Sequence, residues 1–366
     1  MGKVMDNLKD YEILAIIPAR SGSKSVTDKN IRLIDGKPML AYSIEHALKS
    51  KYIGRVIVST DSEKYAQIAK EYGAEVPFIR PAEYATDTAL DIDVFEHALN
   101  FFKDGEGYIP KLVVQLRPTY PIRNVDDIDA MIEYMMSHPD TDSMRCVAPA
   151  TEIPYKMWLF EDEFDTEEND NCDGRSDGRS DGRRFTKVKP LMTDIPECYN
   201  MPRQQLPKAY YQNACIDVMR SEVILDKHSM SGTNIAAYVM EENFDIDTEE
   251  EFKKAEERLK IMNGGKRFVF DIDGVIAGFR GGLDYDAAPP NEPMIKVINK
   301  LYDMGNEIIL HTARGYVTGI DWRELTERQM KDWGVKYHEL HFGKPNADYY
   351  IDDKSLDMKK LLEYFA

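Results

Sequence analysis

Three stretches of the chain hold residue types whose spacing could do chemistry. The first, Ile17-Pro18-Ala19-Arg20-Ser21-Gly22-Ser23-Lys24, leaves a short apolar run and enters a loop of small residues. Backbone N–H groups of such a loop can cradle phosphate oxygens, and Arg20 and Lys24 add positive charge there. The loop lacks the GxxxxGK(S/T) spacing, so it does not indicate ATPase chemistry of the P-loop type. The second stretch is Asp245-Ile246-Asp247-Thr248. Alternate residues of an extended segment point the same way, so both carboxylates can share one face and hold Mg²⁺, a hard ion, beside a triphosphate. The same two residues could instead introduce and cap a helix starting at Glu249, and the spacing alone favours that reading. The third stretch begins at Asp271-Ile272-Asp273-Gly274 and continues with Thr312, Lys344 and the pair Asp352-Asp353. One carboxylate can attack phosphorus while the other protonates the leaving oxygen and later activates water. Thr312 can orient a phosphoryl group, Lys344 can balance the crowded carboxylates, and Asp352 with Asp353 can complete a Mg²⁺ site. A lone DxDG also occurs in calcium loops, but these four pieces in order, each at a strand end, form a strong signal.

The elements that must position these residues are legible as alternation. Short apolar runs at 13–17, 55–59 and 112–116 predict strands, and amphipathic spacing at 38–48, 63–72 and 126–137 predicts helices. Such alternation predicts an α/β fold with a mostly parallel sheet covered by helices, whose strands look continuously apolar because both faces are buried. After a charged helix at 249–260, Asn263-Gly264-Gly265-Lys266 marks a domain boundary. The alternation then restarts: strands at 267–270, 307–311 and 349–351, helices at 293–304 and 321–333. The expected division is 1–262 and 266–366. Residues 161–184 interrupt the first part with an acidic run and DGRS, DGRS, DGRR, a low-complexity repeat without an apolar anchor that reads as a solvated, mobile surface insertion. His338 and His341 read as packing residues at a strand end rather than as ligands.

Bulk properties exclude several classes. The 366-residue chain carries 65 acidic against 47 basic side chains, a net charge of −18, which disfavours nucleic-acid and anionic-membrane partners. Anionic small molecules are still accommodated by local clusters of Lys, Arg and N–H groups. Cys146, Cys172, Cys198 and Cys215 show no CxxC spacing and read as isolated thiols in a reducing compartment. The polar start lacks a signal-peptide core, and no apolar run approaches the roughly 20 residues of a membrane-spanning helix. The expectation is a cytoplasmic protein.

In order along the chain, residues 16–31 (IIPARSGSKSVTDKNI), 59–62 (STDS), 80–87 (RPAEYATD), 116–123 (LRPTYPIR), 154–158 (PYKMW), 203–216 (RQQLPKAYYQNACI) and 244–252 (FDIDTEEEF) resemble the acylneuraminate cytidylyltransferases, or CMP-sialic acid synthetases. The resemblance runs from about 12 to 260. It implies a Rossmann-like sheet, CTP as co-substrate, Mg²⁺, and attack of a sugar's anomeric hydroxyl on the α-phosphorus of CTP with loss of pyrophosphate. It implies that Arg20, Ser23, Lys24, Lys29 and Asn30 bind the nucleotide, with Lys24 and the metal offsetting charge on the leaving pyrophosphate. Arg80 and Asp87 would shape the nucleotide pocket, and Asp247 with Asp245 would hold the metal. Lys156, Arg203, Gln204 and Asn213 would line the sugar-acid pocket. Arg117 and Tyr120 stand in a segment where the family usually carries Gln and Ser, so they too are expected near the sugar, and the acceptor is open to a related nonulosonic acid, an octulosonate or another capsule-type sugar. A homo-oligomer, dimer or tetramer, is the family-level expectation.

The strand-end set in 266–366 is similar to the haloacid dehalogenase superfamily of phosphatases, a smaller Rossmannoid fold, with HTARG and KPNADYYIDD like its small members of capsule and sugar-nucleotide pathways. The resemblance implies Asp271 as nucleophile, Asp273 as acid/base, Thr312 and Lys344 as phosphate-binding, and Asp352 or Asp353 as metal ligand beside Asp271, the carbonyl of Ile272 and Asp273. The spacing between these motifs leaves no room for a large cap. A chain with both halves would dephosphorylate a sugar acid and then load it onto CMP. The alternative is a nucleotidyltransferase for a phosphosugar or polyol phosphate, motivated by the extra cation Arg117, with the C-terminal part serving a separate step or only oligomerisation.

Overall fold

The continuous apolar runs become strands buried on both faces. The computed structural model describes residues 12–22, 28–160, 187–240, 244–278, 285–345, 347 and 355–365. The repeat insertion, Ser23, Lys24, the expected strand at 349–351, Asp352 and Asp353 lie outside the described residues. In chain order the first elements are β1 (Ile13–Pro18), β2 (Leu33–Ile34), β3 (Lys37–Pro38), α1 (Met39–Lys49), β4 (Arg55–Ser59), α2 (Glu63–Glu71), α3 (Asp91–Glu106), β5 (Leu112–Leu116) and α4 (Val125–Ser137). There follow β6 (Ser143–Pro149), β7 (Trp158–Phe160), β8 (Val188–Pro190), β9 (Tyr210–Arg220), α5 (Ser221–Leu225), β10 (Ile235–Val239) and α6 (Glu249–Met262). The chain ends with β11 (Arg267–Asp271), α7 (Glu292–Asp303), β12 (Glu307–Thr312), α8 (Arg323–Asp332), β13 (Glu339–Phe342) and α9 (Met358–Phe365).

Packing divides the chain into two units, the described residues of Met1–Ile31 with Met39–Asp245, and of Arg32–Pro38 with Ile246–Ala366. In the first, a six-stranded sheet runs in the order β10-β6-β9-β5-β1-β4. β1 is parallel to β4 and β5, and β10 is parallel to β6, whereas β9 is antiparallel to both its neighbours. Alternate residues of each central strand feed two cores. Ile13, Ala15, Ile17, Val56, Val58 and Val114 pack with α1 and α4 on one face. Leu14, Ile16, Ile57 and Val113 pack with Val94, Phe95 and Ala98 of α3 on the other. Helix starts are capped as their residues dictate. Ser62 accepts from the Tyr65 N–H at 3.4 Å to open α2, and Asn124 accepts from Asp126 at 3.1 Å to open α4.

In the second unit β11, β12 and β13 form a parallel sheet in that order. Phe270, Ile308 and Leu310 pack against Val297 and Leu301 of α7 and Leu361 of α9 in its core. The chain turn at 263–265 lies where the boundary was expected, but α6 groups with this second unit by packing. Ile261 sits in its core, and Glu257 takes Lys360 and Tyr364 of α9 as partners. The short β2–β3 hairpin joins the same unit through Arg32, which pairs with Glu249 and stacks 4.1 Å over the Phe252 ring.

Candidate active sites

In the first unit the chemistry-bearing residues collect beyond the carboxyl ends of β1, β4 and β5, the edge where parallel α/β sheets bind ligands. β1 ends at Pro18, and the Ala19 N–H donates to the Ser59 carbonyl at the end of β4, 2.9 Å away. The loop then lies against β4's continuation. Asp61 accepts from the Ser21 N–H at 2.8 Å and from the Ser21 hydroxyl at 2.6 Å. Burial would raise the Asp61 carboxyl, but these two bonds from Ser21 and the field of Arg80 hold it below the usual carboxylate range. Gly22 follows with φ +72°, a left-handed turn that a side chain would strain. The amide of Asn30 donates to the Arg20 carbonyl at 3.0 Å, so the far end of the loop is tied to its start.

The cations at this edge are held by an acid in one case and by backbone carbonyls in another. Arg20 pairs with Asp87 at 2.8 Å, so two residues expected at the nucleotide are brought together. Arg80 is buried, donating to the Ser59 carbonyl at 2.7 Å and to the Tyr84 carbonyl at 3.2 Å. Burial pulls its guanidinium below the usual arginine value, and Asp61 and Asp91 partly offset this. Lys29 and Asn30 are buried in a single 3-10 turn.

Among residues expected near the sugar, Arg117 is half-buried and donates to Asp91 at 2.5 Å, sharing that carboxylate with Gln115 at 3.1 Å. Tyr120 is buried, and its hydroxyl donates to the Asn213 carbonyl. Burial first, and then the Asp245 carboxylate, push the Tyr120 phenol far up. The Asn213 side chain is buried too, with its oxygen accepting from the Cys215 N–H at 3.2 Å, next to Ala214 at φ +56° in β9. Lys156 donates to the Tyr199 carbonyl at 3.1 Å, Arg203 lies 4.0 Å from Glu152, and Gln204 is exposed. Asp245 is half-buried and Asp247 exposed. The capping role that spacing offered to Asp247 falls to Thr248, whose hydroxyl accepts from the Glu251 N–H at 3.2 Å in a reciprocal capping box.

In the second unit Asp271 closes β11 opposite His311 of β12. Its Oδ1 accepts from the Ile272 N–H at 2.8 Å, and Lys344 Nζ donates to its Oδ2. Gly274, at φ +91°, turns the chain so that its N–H reaches the Ala277 carbonyl at 2.8 Å. Asp273 faces Thr312, whose hydroxyl donates to Oδ2 at 3.4 Å, and Arg314, whose Nη2 donates to Oδ1 at 2.7 Å. The Lys344 N–H donates to the Thr312 carbonyl at 3.1 Å, tying the loop after β13 to the end of β12. His338 accepts from the Ile308 N–H at 3.0 Å and stacks on Tyr302, whereas His341 pairs with Glu339 at 2.6 Å. Asp271, Asp273, Thr312 and Lys344 are thus brought together. No group of three or more metal-competent His, Cys, Asp or Glu side chains is gathered among the described residues.

Three residues that sequence reasoning passed over stand out. Asp61 fixes Ser21, and Arg123 is buried with donations to the Cys215 carbonyl at 2.8 Å and the Arg117 carbonyl at 3.0 Å. The third is Arg314. Each lies inside a quoted segment (STDS, LRPTYPIR, HTARG), which was the signal available. Among the described residues Cys146, Cys198 and Cys215 are buried free thiols, and no helix is long and apolar enough to cross a membrane.

Comparison with known proteins bears on the first unit and on the parts of the second that precede residue 268. The cytidylyltransferase family matches residues 14–267. A "post-translational flagellin modification protein B" of Campylobacter coli is 34% identical over 254 residues, spanning 69% of this chain and 97% of that protein. A "CMP-N,N'-diacetyllegionaminic acid synthase" of Campylobacter jejuni is 33% identical over the same shares of the two chains. An "N-acylneuraminate cytidylyltransferase" of Escherichia coli is 42% identical over 140 residues, 38% of this chain and 31% of that protein. With a match that covers residues 14–267, well over half its length, this chain belongs to the cytidylyltransferase family.

Proposed function

We propose that the first unit transfers CMP from CTP to a 2-keto sugar acid of the nonulosonic type, releasing pyrophosphate. The observation that carries this reading is the pinned loop of Arg20 and Ser21 at the end of β1, in a chain 33% identical over 254 residues to a diacetyllegionaminic acid synthase. Backbone N–H groups from Ser21 onward, with Arg20, Lys24, Lys29 and Asn30, would receive the nucleotide phosphates, and Arg80 with Asp87 would shape its pocket. Arg117, Lys156, Arg203 and Gln204 would receive the acceptor, while Tyr120 and Asn213 would brace it from below. Asp245 and Asp247 offer hard carboxylate oxygens, which suits Mg²⁺, an ion that takes one or two carboxylates plus substrate phosphates. Mg²⁺ would neutralise triphosphate charge.

The second unit is read as a phosphatase for the sugar-acid phosphate that precedes this step. Asp271 would be the nucleophile, Asp273 the acid/base, and Thr312 and Lys344 the phosphate-binding pair. Asp271 and Asp273, with Asp352 or Asp353 from outside the described residues, would supply the all-oxygen donors that suit Mg²⁺. The protein is further read as a cytoplasmic homo-oligomer, dimer or tetramer.

Pyrophosphate release by the full chain with Mg²⁺ tests the first reading, crossing CTP and the other nucleotides with free 2-keto sugar acids and with sugar phosphates. Turnover is expected with CTP and a free sugar acid. The runner-up, a phosphorylated acceptor, needs Arg117 to exchange its Asp91 partner for the added phosphate. Asp91→Asn would release Arg117. Turnover of phosphorylated acceptors alone, in either protein, would replace the proposal.

A further inference from the structure

The phosphatase reading assigns Asp273 a proton to give and then take, but a carboxyl group can do that only from a fixed orientation. The structure shows what fixes it. Arg314, two residues beyond Thr312, has a fully buried side chain, at 0% exposure against 27% for its partner Asp273. Its Nη2 donates to Asp273 Oδ1 at 2.7 Å, and its Nε lies 3.1 and 3.0 Å from the two carboxylate oxygens. A buried guanidinium is costly unless every face is satisfied, and here the remaining edge is held. Nη1 donates to the Gln329 side-chain oxygen at 2.7 Å and to the Thr326 hydroxyl at 3.1 Å, both on α8. Gln329 in turn donates to the Tyr285 carbonyl at 2.6 Å, and the Tyr285 ring lies 4.7 Å from the guanidinium carbon. The Arg314 N–H donates to the Thr312 hydroxyl at 3.1 Å, so the same chain segment sets both residues that face Asp273.

We propose that Arg314 is the positioning residue for Asp273, holding both oxygens of its carboxylate so that the proton it exchanges with substrate is presented from one fixed orientation. The inference rests on the phosphatase reading. In the first step an Asp271 carboxylate oxygen bonds to phosphorus, the phosphorus–oxygen ester bond breaks, and the departing oxygen keeps the electron pair and takes the proton from Asp273. In the second step water attacks the aspartyl phosphate and gives its proton to Asp273, and the bond between phosphorus and Asp271 breaks. The sum is ester plus water to alcohol plus phosphate. Arg314 touches no reacting atom. It acts through Asp273, so its loss should be felt most by esters whose leaving oxygen needs the proton.

The test compares p-nitrophenyl phosphate, whose leaving phenolate departs readily without a proton, with glycerol 2-phosphate, whose alkoxide does not. The full-length protein is assayed in Mg²⁺ buffer as wild type and as Arg314→Lys. The expected result is a fall in kcat of about 100-fold on glycerol 2-phosphate and of less than about 10-fold on p-nitrophenyl phosphate, with KM for both little changed. An equal fall on the two esters overturns the proposal while the phosphatase reading stands. Absence of turnover of either ester by the wild type overturns both. Should Arg314→Lys not fold, as judged by its thermal transition, Gln329→Met loosens the guanidinium from α8. It should give the same unequal loss at smaller amplitude, and an equal loss or none in that variant overturns the proposal.

Discussion

The two units place their candidate chemistry alike, at the carboxyl end of a first parallel strand, but with opposite charge logic. Beyond the ends of β1 and β5 the groups proposed to meet a ligand are cations and N–H donors, and three of them are held by acids: Arg20 by Asp87, Arg117 by Asp91, Ser21 by Asp61. At the end of β11 the groups proposed to react are acids, each held by a cation: Asp271 by Lys344 and Asp273 by Arg314. Nucleotide chemistry asks the protein to receive negative charge, so its cations are kept extended by partners that incoming phosphates can replace. An aspartyl nucleophile has to approach an anionic ester, so its carboxylates must be neutralised beforehand. On the proposed reading the same strand-end placement would serve opposite electrostatic tasks by exchanging which sign is anchored.

The largest expected effect breaks one side of this comparison alone. Asp271→Asn keeps the size of the side chain but removes the nucleophile. It is expected to lower phosphate-ester hydrolysis by at least about 10³-fold, with pyrophosphate release from CTP and a supplied free sugar acid within about twofold of wild type. Parallel assays of both activities on one preparation check it, and hydrolysis that survives the substitution removes Asp271 from its role. The next effect is on the other side. Asp61→Ala frees Ser21 and hence the phosphate loop. A fall of about 100-fold in kcat/KM for CTP is expected, since a misplacement of about 1 Å costs that much, with phosphatase activity untouched. A near-normal kcat/KM would mean that the loop holds its position without Asp61.

Much of this was legible in the residues. Strands expected at 55–59 and 112–116 match β4 and β5, and the helix expected at 38–48 is α1 to within a residue at each end, because runs buried on both faces and amphipathic helices announce themselves locally. What was not legible depends on distant partners. β9, antiparallel between β5 and β6, carries Tyr210-Tyr211-Gln212-Asn213 at its start, and no local pattern foretells that this stretch pairs with 147–149. The union of the β2–β3 hairpin with α6 rests on Arg32 meeting Glu249 and Phe252, residues over 200 positions apart. At the sites, residue types were readable but anchoring was not. Asp61, Arg123 and Arg314 lie inside segments that drew notice for their neighbours, and only the fold shows that they hold those neighbours in place.

The smallest effect expected is also the control for the comparison, an acid anchored by a cation where no chemistry is proposed. Asp142, at the edge of β6, accepts from Lys227 Nζ at 2.6 Å and from the N–H groups of Thr233 and Asn234 at 2.7 and 3.0 Å. The bond from Lys227, followed by those two N–H donors, holds its carboxyl far below the usual carboxylate range. Gly232 approaches so closely that an added Cβ would strike the Asp142 side chain, so the turn and the carboxylate are fitted to one another. Because the folded value is depressed, the stabilisation is fully present above the unfolded value, near pH 4, and is lost as pH falls from there through the folded value. Asp142→Asn should therefore lower Tm by about 5 °C at neutral pH, and the gap to wild type should narrow below about pH 4. Both activities should remain as in wild type. Melts from neutral to acid pH decide it, and a gap that stays constant into acid would assign the anchoring to the hydrogen bonds alone and not to the charge. The distinction matters for the two sites, because anchored charge, rather than hydrogen bonding as such, is what sets one strand end apart from the other.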